Sequence, residues 1–478
     1  MRPVPSAPVA AATALALALT LAGPWYGYHR DELYFRMLPP AWGYVDQPPL
    51  TPWLARTLAG LVDEPWALRI PATLAAVVTV LLLAALCREL GGDRRAVALA
   101  SWGAAFAALP LSLGHVLLTA TLDLPLTIAV VLCAVRALRR DPRWWLALGA
   151  VAGLSALNRL LMPLVLLSLA ASLLVLGPRR ALANRWPWLG PFLALLLALP
   201  SILYQATYGW PQLAMGQALA AENAADTRAS LPLILLVAIG PPLVPVLLAG
   251  AVHARRRPES RWVVPTTAVV IGFTWVAGAQ PHYPVALLAV LWAAGCVPLS
   301  VWAGRAAWRR RTVVSLVALN AVVSTVIALP VVPLAVLGDT PLPGLTPLVA
   351  DQVGWPTYTA QVASVWHGLD DPSVAVLTSN YGEAGAVDRY GRTAGLPRPV
   401  SGHNALWDLG PPAPSTRTVV VVGGQYESVR SLFETCTVAL RLDNGLDVES
   451  EEQGEPVAVC TGPLRPWSQL WPTVRHLD

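Results

Sequence analysis

Apolar runs of about twenty residues recur along the first two thirds of the chain, which is the length a helix needs to cross a bilayer's hydrocarbon. Reading windows of that length predicts eleven helical spans, near 8–24, 67–86, 96–112, 116–137, 144–157, 160–177, 188–206, 231–252, 262–279, 284–303 and 312–337. The 144–157 segment is short and reads as a tilted or partly re-entrant element. The first segment follows Arg2 and resembles a signal peptide, but no clear small-residue cleavage site precedes Trp25 and ten further spans follow. It therefore reads as a retained anchor.

From about Gly338 the pattern changes: apolar runs shorten and charge rises. The stretches 373–379 (SVAVLTS) and 418–422 (TVVVV) read as buried strands, and 355–367 as an amphipathic helix. The expected architecture is thus a polytopic α-helical membrane core, 1–337, with a C-terminal α/β domain, 338–478. Composition agrees, with 55% of residues hydrophobic and 13% charged, against roughly a quarter charged in soluble domains.

The net charge is +5 and every basic residue is arginine. Their distribution argues for membrane orientation, not for a nucleic-acid partner. Alternate inter-helix segments, with Arg2, hold 19 arginines, including Arg136, Arg139, Arg140, Arg179 and Arg180. The other set holds six: Arg30, Arg36, Arg56, Arg69, Arg159 and Arg228. Cytoplasmic loops are the arginine-rich ones, so the N-terminus is expected inside. Segments 25–66, 113–115, 158–159, 207–230 and 280–283, with the C-terminal domain, are expected outside. Cys436 and Cys460 then lie in an oxidising compartment and are expected to pair; Cys87, Cys133 and Cys296 read as packing residues.

Candidate chemistry concentrates on the outward side. The segment 25–56 carries Asp31, Glu32 and Asp46 among Trp25, Tyr26, Tyr28, Trp42 and Tyr44. An interfacial aromatic belt with solvated acids is the plainer reading of the same residues. Asp123 lies inside an apolar stretch, where an acid is a functional candidate by default; with Pro125 just beyond, it also reads as a helix N-cap. Arg159 sits at an outward helix junction, as an anion ligand, as a structural pair for Asp123, or snorkelling to the surface. His29 and His115 read equally well as structural. There is no HExxH, no paired Cys or His spacing, no P-loop and no Rossmann fingerprint.

HRDELY at 29–34 with GYVDQPPL at 43–50 resembles bacterial glycosyltransferase family 39, of the GT-C superfamily, related to protein O-mannosyltransferases and lipid A aminoarabinose transferases. TLDLPLT at 121–127 is similar to the family's Asp-x-Pro-Leu element. QPHYP at 280–284 is similar to its late outward loop, with Gln280 where lysine is frequent. DQVGWP at 351–356 and NYGEAGA at 380–386 resemble hallmarks of one subgroup. The resemblance implies a GT-C fold in a bacterial plasma membrane. It also implies a polyprenyl-phosphate sugar donor, a glycan, lipid or protein acceptor, and transfer with inversion. It makes Asp31 the general base, Glu32 its alternative and Asp46 the second acid. Arg159, His282, Tyr283, Asp123 and Arg30 become donor or phosphate ligands, and Asp31, Asp46 and Asp123 possible holders of a divalent cation. Two rival readings are a lipid or solute transporter, which would favour midplane ionisable groups and repeated halves, and a non-catalytic envelope assembly factor, which would tolerate loss of Asp31.

Overall fold

The computed structural model describes residues 6–178, 181 and 183–477, without the side chain of residue 222. Arg2, Arg179 and Arg180 of the arginine count lie outside this description. Contacts divide the chain into two compact units. The first runs to Gly23 and adds Gln47–Thr51 and Arg69–Leu329; the second comprises Pro24–Asp46, Pro52–Leu68 and the chain from Pro330. The second unit thus takes in parts of segment 25–66 as well as the C-terminal region.

Every predicted apolar segment contains a helix. Among the described residues, Pro65–Glu89, Thr119–Arg139, Trp186–Thr207, Val285–Gly304 and Ala307–Ala328 are each long and apolar enough to cross a membrane. Two bent pairs qualify jointly, Arg94–Ala105 with Ala108–His115 (54°) and Asn223–Ile239 with Pro241–Arg255 (77°). Ala7–Ala22, Trp144–Ala156, Met162–Leu176 and Val263–Ala277 are apolar but shorter.

Two predicted boundaries fail. The segment 207–230, expected as a loop, is mostly helix, because Pro211–Ile239 begins about twenty residues before the apolar window at 231. It breaks at Gly240, φ +87°, followed by Pro241 and Pro242; a side chain at Gly240 would strike Asn320 Oδ1 at 1.8 Å. Proline lacks the N–H that would continue the ladder. The last span ends at Ala328, short of 337.

In lipid there is no hydrophobic drive between helices, so close approach through small residues holds them together. A Cβ on Gly149 would lie 2.1 Å from the Gly190 carbonyl, joining Trp144–Ala156 to Trp186–Thr207. Cβ atoms on Gly250 and Gly295 would meet the carbonyls of Leu291 and Val246 at 1.9 and 2.0 Å, joining Val244–Arg255 to Val285–Gly304. At the arginine-rich end, the buried Glu89 carboxylate accepts from Arg136 Nε and Arg140 Nε, both at 2.9 Å.

In the second unit, β1 (Ala375–Thr378), β2 (Val400–Ser401), β3 (Thr418–Val422), β4 (Phe433–Arg441) and β5 (Pro456–Pro463) form one sheet ordered β2-β1-β3-β5-β4. The first two pairings are parallel and the last two antiparallel. β3 is a continuous apolar run because both its faces are covered, the sheet core being Leu377, Val419, Val421, Phe433, Trp467 and Trp471. Cys436 and Cys460 face each other across β4 and β5 and are disulfide-bonded. The amphipathic helix is Trp355–His367, as expected from the pattern.

Replacing Gly250 with leucine forces two backbones apart and should destabilise the first unit by about 1–3 kcal/mol. A lower thermal midpoint of the detergent-solubilised protein is the expected readout, with an unchanged midpoint contradicting the close contact.

Candidate active site

In the second unit, two short helices are fixed by reciprocal caps. Arg30–Met37 is capped by His29, whose Nδ1 accepts from Asp31 N at 3.1 Å, while Glu32 Oε2 accepts from His29 N at 2.9 Å. Tyr381–Ala386 is capped by Asn380, whose Oδ1 accepts from Glu383 N at 2.9 Å, while Glu383 Oε2 accepts from Asn380 N at 3.1 Å. In a capping box the residue three on from the cap reaches back to it. Glu32 is therefore fully buried and engaged in holding the turn that carries Asp31.

The two helices touch through glycine: a Cβ on Gly385 would lie 2.6 Å from the Leu33 backbone, and one on Gly382 would lie 3.0 Å from Arg30 Cβ. This approach lets Tyr381 Oη donate to Asp31 Oδ1 at 3.0 Å. The Tyr381 ring stacks on Tyr34 and lies against His403, both with centroids 4.8 Å apart. At the far end of the same helix, Arg36 binds Asp63 through Nε (2.9 Å) and Nη2 (2.8 Å), and Asp388 through Nη1 (2.9 Å).

Arg30, expected among the donor ligands, is otherwise occupied. Its guanidinium covers the Tyr381 ring at 4.7 Å and pairs with Glu451.

Asp46 is hydrogen-bonded to Tyr34, whose Oη also accepts from Ala405 N at 3.2 Å. Burial pushes the Asp46 carboxyl up to about 7; hydrogen bonds oppose this, and the charges of Asp31 and Asp408 reinforce it. Asp351, whose Oδ2 lies 3.5 Å from His29 Nε2, is also raised to about 7 by burial, against the pull of Arg30.

In the first unit a second group assembles at the turn between Trp144–Ala156 and Met162–Leu176. Asn158 is fully buried. Its Nδ2 donates to Thr119 O at 2.8 Å, its Oδ1 accepts from Thr51 Oγ1 at 2.7 Å, and Leu50 N donates to Leu157 O at 2.9 Å. These bonds fix Arg159 relative to the start of Thr119–Arg139, the helix that carries Asp123. Arg159 Nη1 lies 2.6 Å from His282 Nε2, and its guanidinium covers the Tyr283 ring at 4.8 Å. Burial and the Arg159 charge hold the His282 pKa well below its usual value. A neutral ring accepts the Arg159 proton at Nε2 and so carries its own at Nδ1.

Asp123 is not an N-cap. Its helix starts at Thr119, the cap is Leu118, and Thr121 Oγ1 accepts from Leu118 N at 3.0 Å. Pro125 sits inside the helix, because a membrane helix re-satisfies the carbonyl that proline leaves. Asp123 is 5% exposed and its Oδ1 has no hydrogen-bond partner; Arg159 is the cation acting on it.

The structure brings Arg159, His282 and Tyr283 together and joins Asp31 to Tyr381. Tyr381 and Asp351 fall in hallmark stretches but had no assigned role, and Asn158 carried no signal beyond standing beside Arg159. Among the described residues no three His, Cys, Asp or Glu side chains are grouped to hold an ion.

The family described as dolichyl-phosphate-mannose-protein mannosyltransferase matches residues 46–204, a stretch that includes Asp46, Asp123 and Arg159. No curated protein sequence matches. Among solved structures, ArnT from Cupriavidus metallidurans bound to undecaprenyl phosphate aligns with TM-score 0.62 at 14% identity, covering 94% of this chain and 97% of its own. The Archaeoglobus fulgidus oligosaccharyltransferase AglB, in complex with an inhibitory peptide and a dolichol-phosphate, aligns at 0.53 and 14% identity, covering 88% and 70%. The mycobacterial arabinofuranosyltransferase AftD aligns at 0.51 and 14%, covering 95% of this chain and 40% of its own.

Asp46 and Asp351 have folded-state pKa values above their ordinary ones, so between roughly pH 4 and 7 the folded state binds more protons than the unfolded state. Stability is then greatest on the acid side and falls as pH rises through 7. The thermal midpoint of the purified protein should drop between pH 6 and 8, and Asp351→Asn should flatten part of that slope; a midpoint that rises over this range would contradict it.

The chain thus shares the fold of these membrane glycosyltransferases, and a third of it matches the mannosyltransferase family model.

Proposed function

We propose that the protein transfers a sugar from a polyprenyl phosphate to an acceptor hydroxyl at the outer face of a bacterial plasma membrane. The observation that carries this is the Arg159–His282–Tyr283 group beside a buried, unpartnered Asp123 oxygen. Guanidinium is the side chain best matched to phosphate. A neutral His282 takes only one of its five N–H donors, so the rest can meet a leaving phosphate. An aspartate buried at an expense in a membrane helix needs a polar ligand, and a donor-sugar hydroxyl supplies one. The solved relatives with undecaprenyl phosphate or dolichol-phosphate support the choice of donor.

In this reading the acceptor oxygen attacks the anomeric carbon and its proton passes to a base, the role the family resemblance gives to Asp31. The carbon–oxygen bond to phosphate breaks, and polyprenyl phosphate leaves with its charge on Arg159. Displacement from the opposite side inverts the anomeric centre. Tyr381 orients the base. Ionisation of Asp46, near pH 7, puts a second negative charge within reach of Asp31 and strengthens it as a base. Glu32 serves as the cap that fixes this turn. No step is routed through a metal ion. The eleven helical segments are taken as spans with a cytoplasmic N-terminus, and the sheet-bearing C-terminal region, extracytoplasmic, as the part that selects the acceptor.

Arg159→Gln should lower transfer from a labelled polyprenyl-phosphate sugar by roughly 100-fold or more, with Arg159→Lys intermediate because it keeps the charge and loses the planar fork. The measurement is release of polyprenyl phosphate by purified protein. Equal rates in wild type and both variants would remove Arg159 from the site.

A further inference from the structure

The first unit holds a cleft that the proposed reaction does not use. It lies among Arg94–Ala105, Val285–Gly304 and Ala307–Ala328, with a volume of about 640 Å³. Its walls include Leu99, Trp102, Phe106, Val314, Val317 and Ala321, and its one uncharged polar side chain, Ser300, is turned back to the Val297 carbonyl at 2.9 Å. Trp102 and Phe106, one turn apart, present nearly parallel rings 6.3 Å apart.

At one end the lining becomes cationic. Arg95 and Arg310 line the cleft there, and Arg95 Nη1 would lie 3.5 Å from a Cβ on Gly304. Neither arginine forms an ion pair with a carboxylate among the described residues. Asp93, the acid nearest in sequence, is taken up in capping its helix through Ala96 N at 2.8 Å.

The dimensions identify the occupant. From Arg95 to Phe106, and from Arg310 to Ala321, each wall runs eleven residues, about 16 Å of helix. One leaflet of hydrocarbon is roughly 15 Å deep. A site with two cations at the headgroup level and an apolar trough one leaflet long fits one acyl chain beneath an anionic headgroup. A much longer polyprenyl chain would overrun it.

We propose that this cleft binds an anionic phospholipid from the leaflet on the arginine-rich side, its phosphate held by Arg95 and Arg310 and one acyl chain lying along Trp102 and Phe106. Because the cleft uses neither Asp31 nor Arg159, the site stands or falls independently of the glycosyl-transfer reading.

The test is native mass spectrometry of the full-length protein incubated with equimolar dioleoyl phosphatidylglycerol and phosphatidylcholine. Wild type should retain phosphatidylglycerol preferentially, and Arg95→Gln with Arg310→Gln should cut that preference roughly tenfold. Arg255→Gln with Arg256→Gln, which removes two exposed arginines from another turn, should leave it intact. Val314→Trp, filling the trough with both arginines present, should also lower retention. Equal losses in both arginine pairs would reduce the effect to general surface charge and overturn the site. So would unchanged retention in the Arg95/Arg310 variant, or displacement of phosphatidylglycerol by equimolar undecaprenyl phosphate.

Discussion

Removing a charge from water is the cost around which this molecule is arranged, because a membrane interior provides no solvent to absorb an unpaired polar group. The chain responds by giving nearly every buried charge a partner. Glu89 is clasped by Arg136 and Arg140, Arg36 by Asp63 and Asp388, and Arg69 donates to the Gly23 carbonyl at 2.8 Å. Asp123, with a buried oxygen that nothing meets, is one of the exceptions, and the Glu383 Oε1 oxygen is another. A buried polar atom left without a partner is where a ligand's polar atoms are favoured.

Burial has a second consequence in the acids of the second unit. Asp46 and Asp351 are raised to about 7, and Glu383 and Glu452 are raised as well, chiefly by desolvation. Carboxyl groups that titrate near neutrality are suited to proton transfer. The same property makes the fold lose stability as pH rises toward 7. Chemistry and stability thus draw on one physical cause, and the glycine contacts at Gly382 and Gly385 hold Tyr381 against Asp31 in that environment.

Much of this is legible in the sequence where the signal is local. Apolar length marks each helical segment, helical periodicity gives Trp355–His367, and the apolar runs mark β1 and β3. An unpaired Asp or Arg in an apolar stretch singles out Asp123 and Arg159. The helix Pro211–Ile239 escapes because its first half, rich in Gln, Glu, Asn and Asp, carries no apolar window. The hold of Tyr381 on Asp31 spans 350 residues of sequence, and the engagement of Arg30 with Glu451 spans 421. Such pairings are set by packing, not by spacing, and they decide which acid is perturbed. The short caps at His29–Glu32 and Asn380–Glu383 follow a recognisable pattern, yet their polar members also look like catalytic groups until their hydrogen bonds are seen.

The claim on which the rest turns is that Asp31 serves as the base for sugar transfer. The direct measurement is transfer of labelled sugar from native polyprenyl-phosphate donors in membranes, comparing wild type with Asp31→Asn at matched amounts of folded protein. The account predicts transfer by wild type and a loss of at least roughly 100-fold in the variant. Equal transfer by both would contradict it.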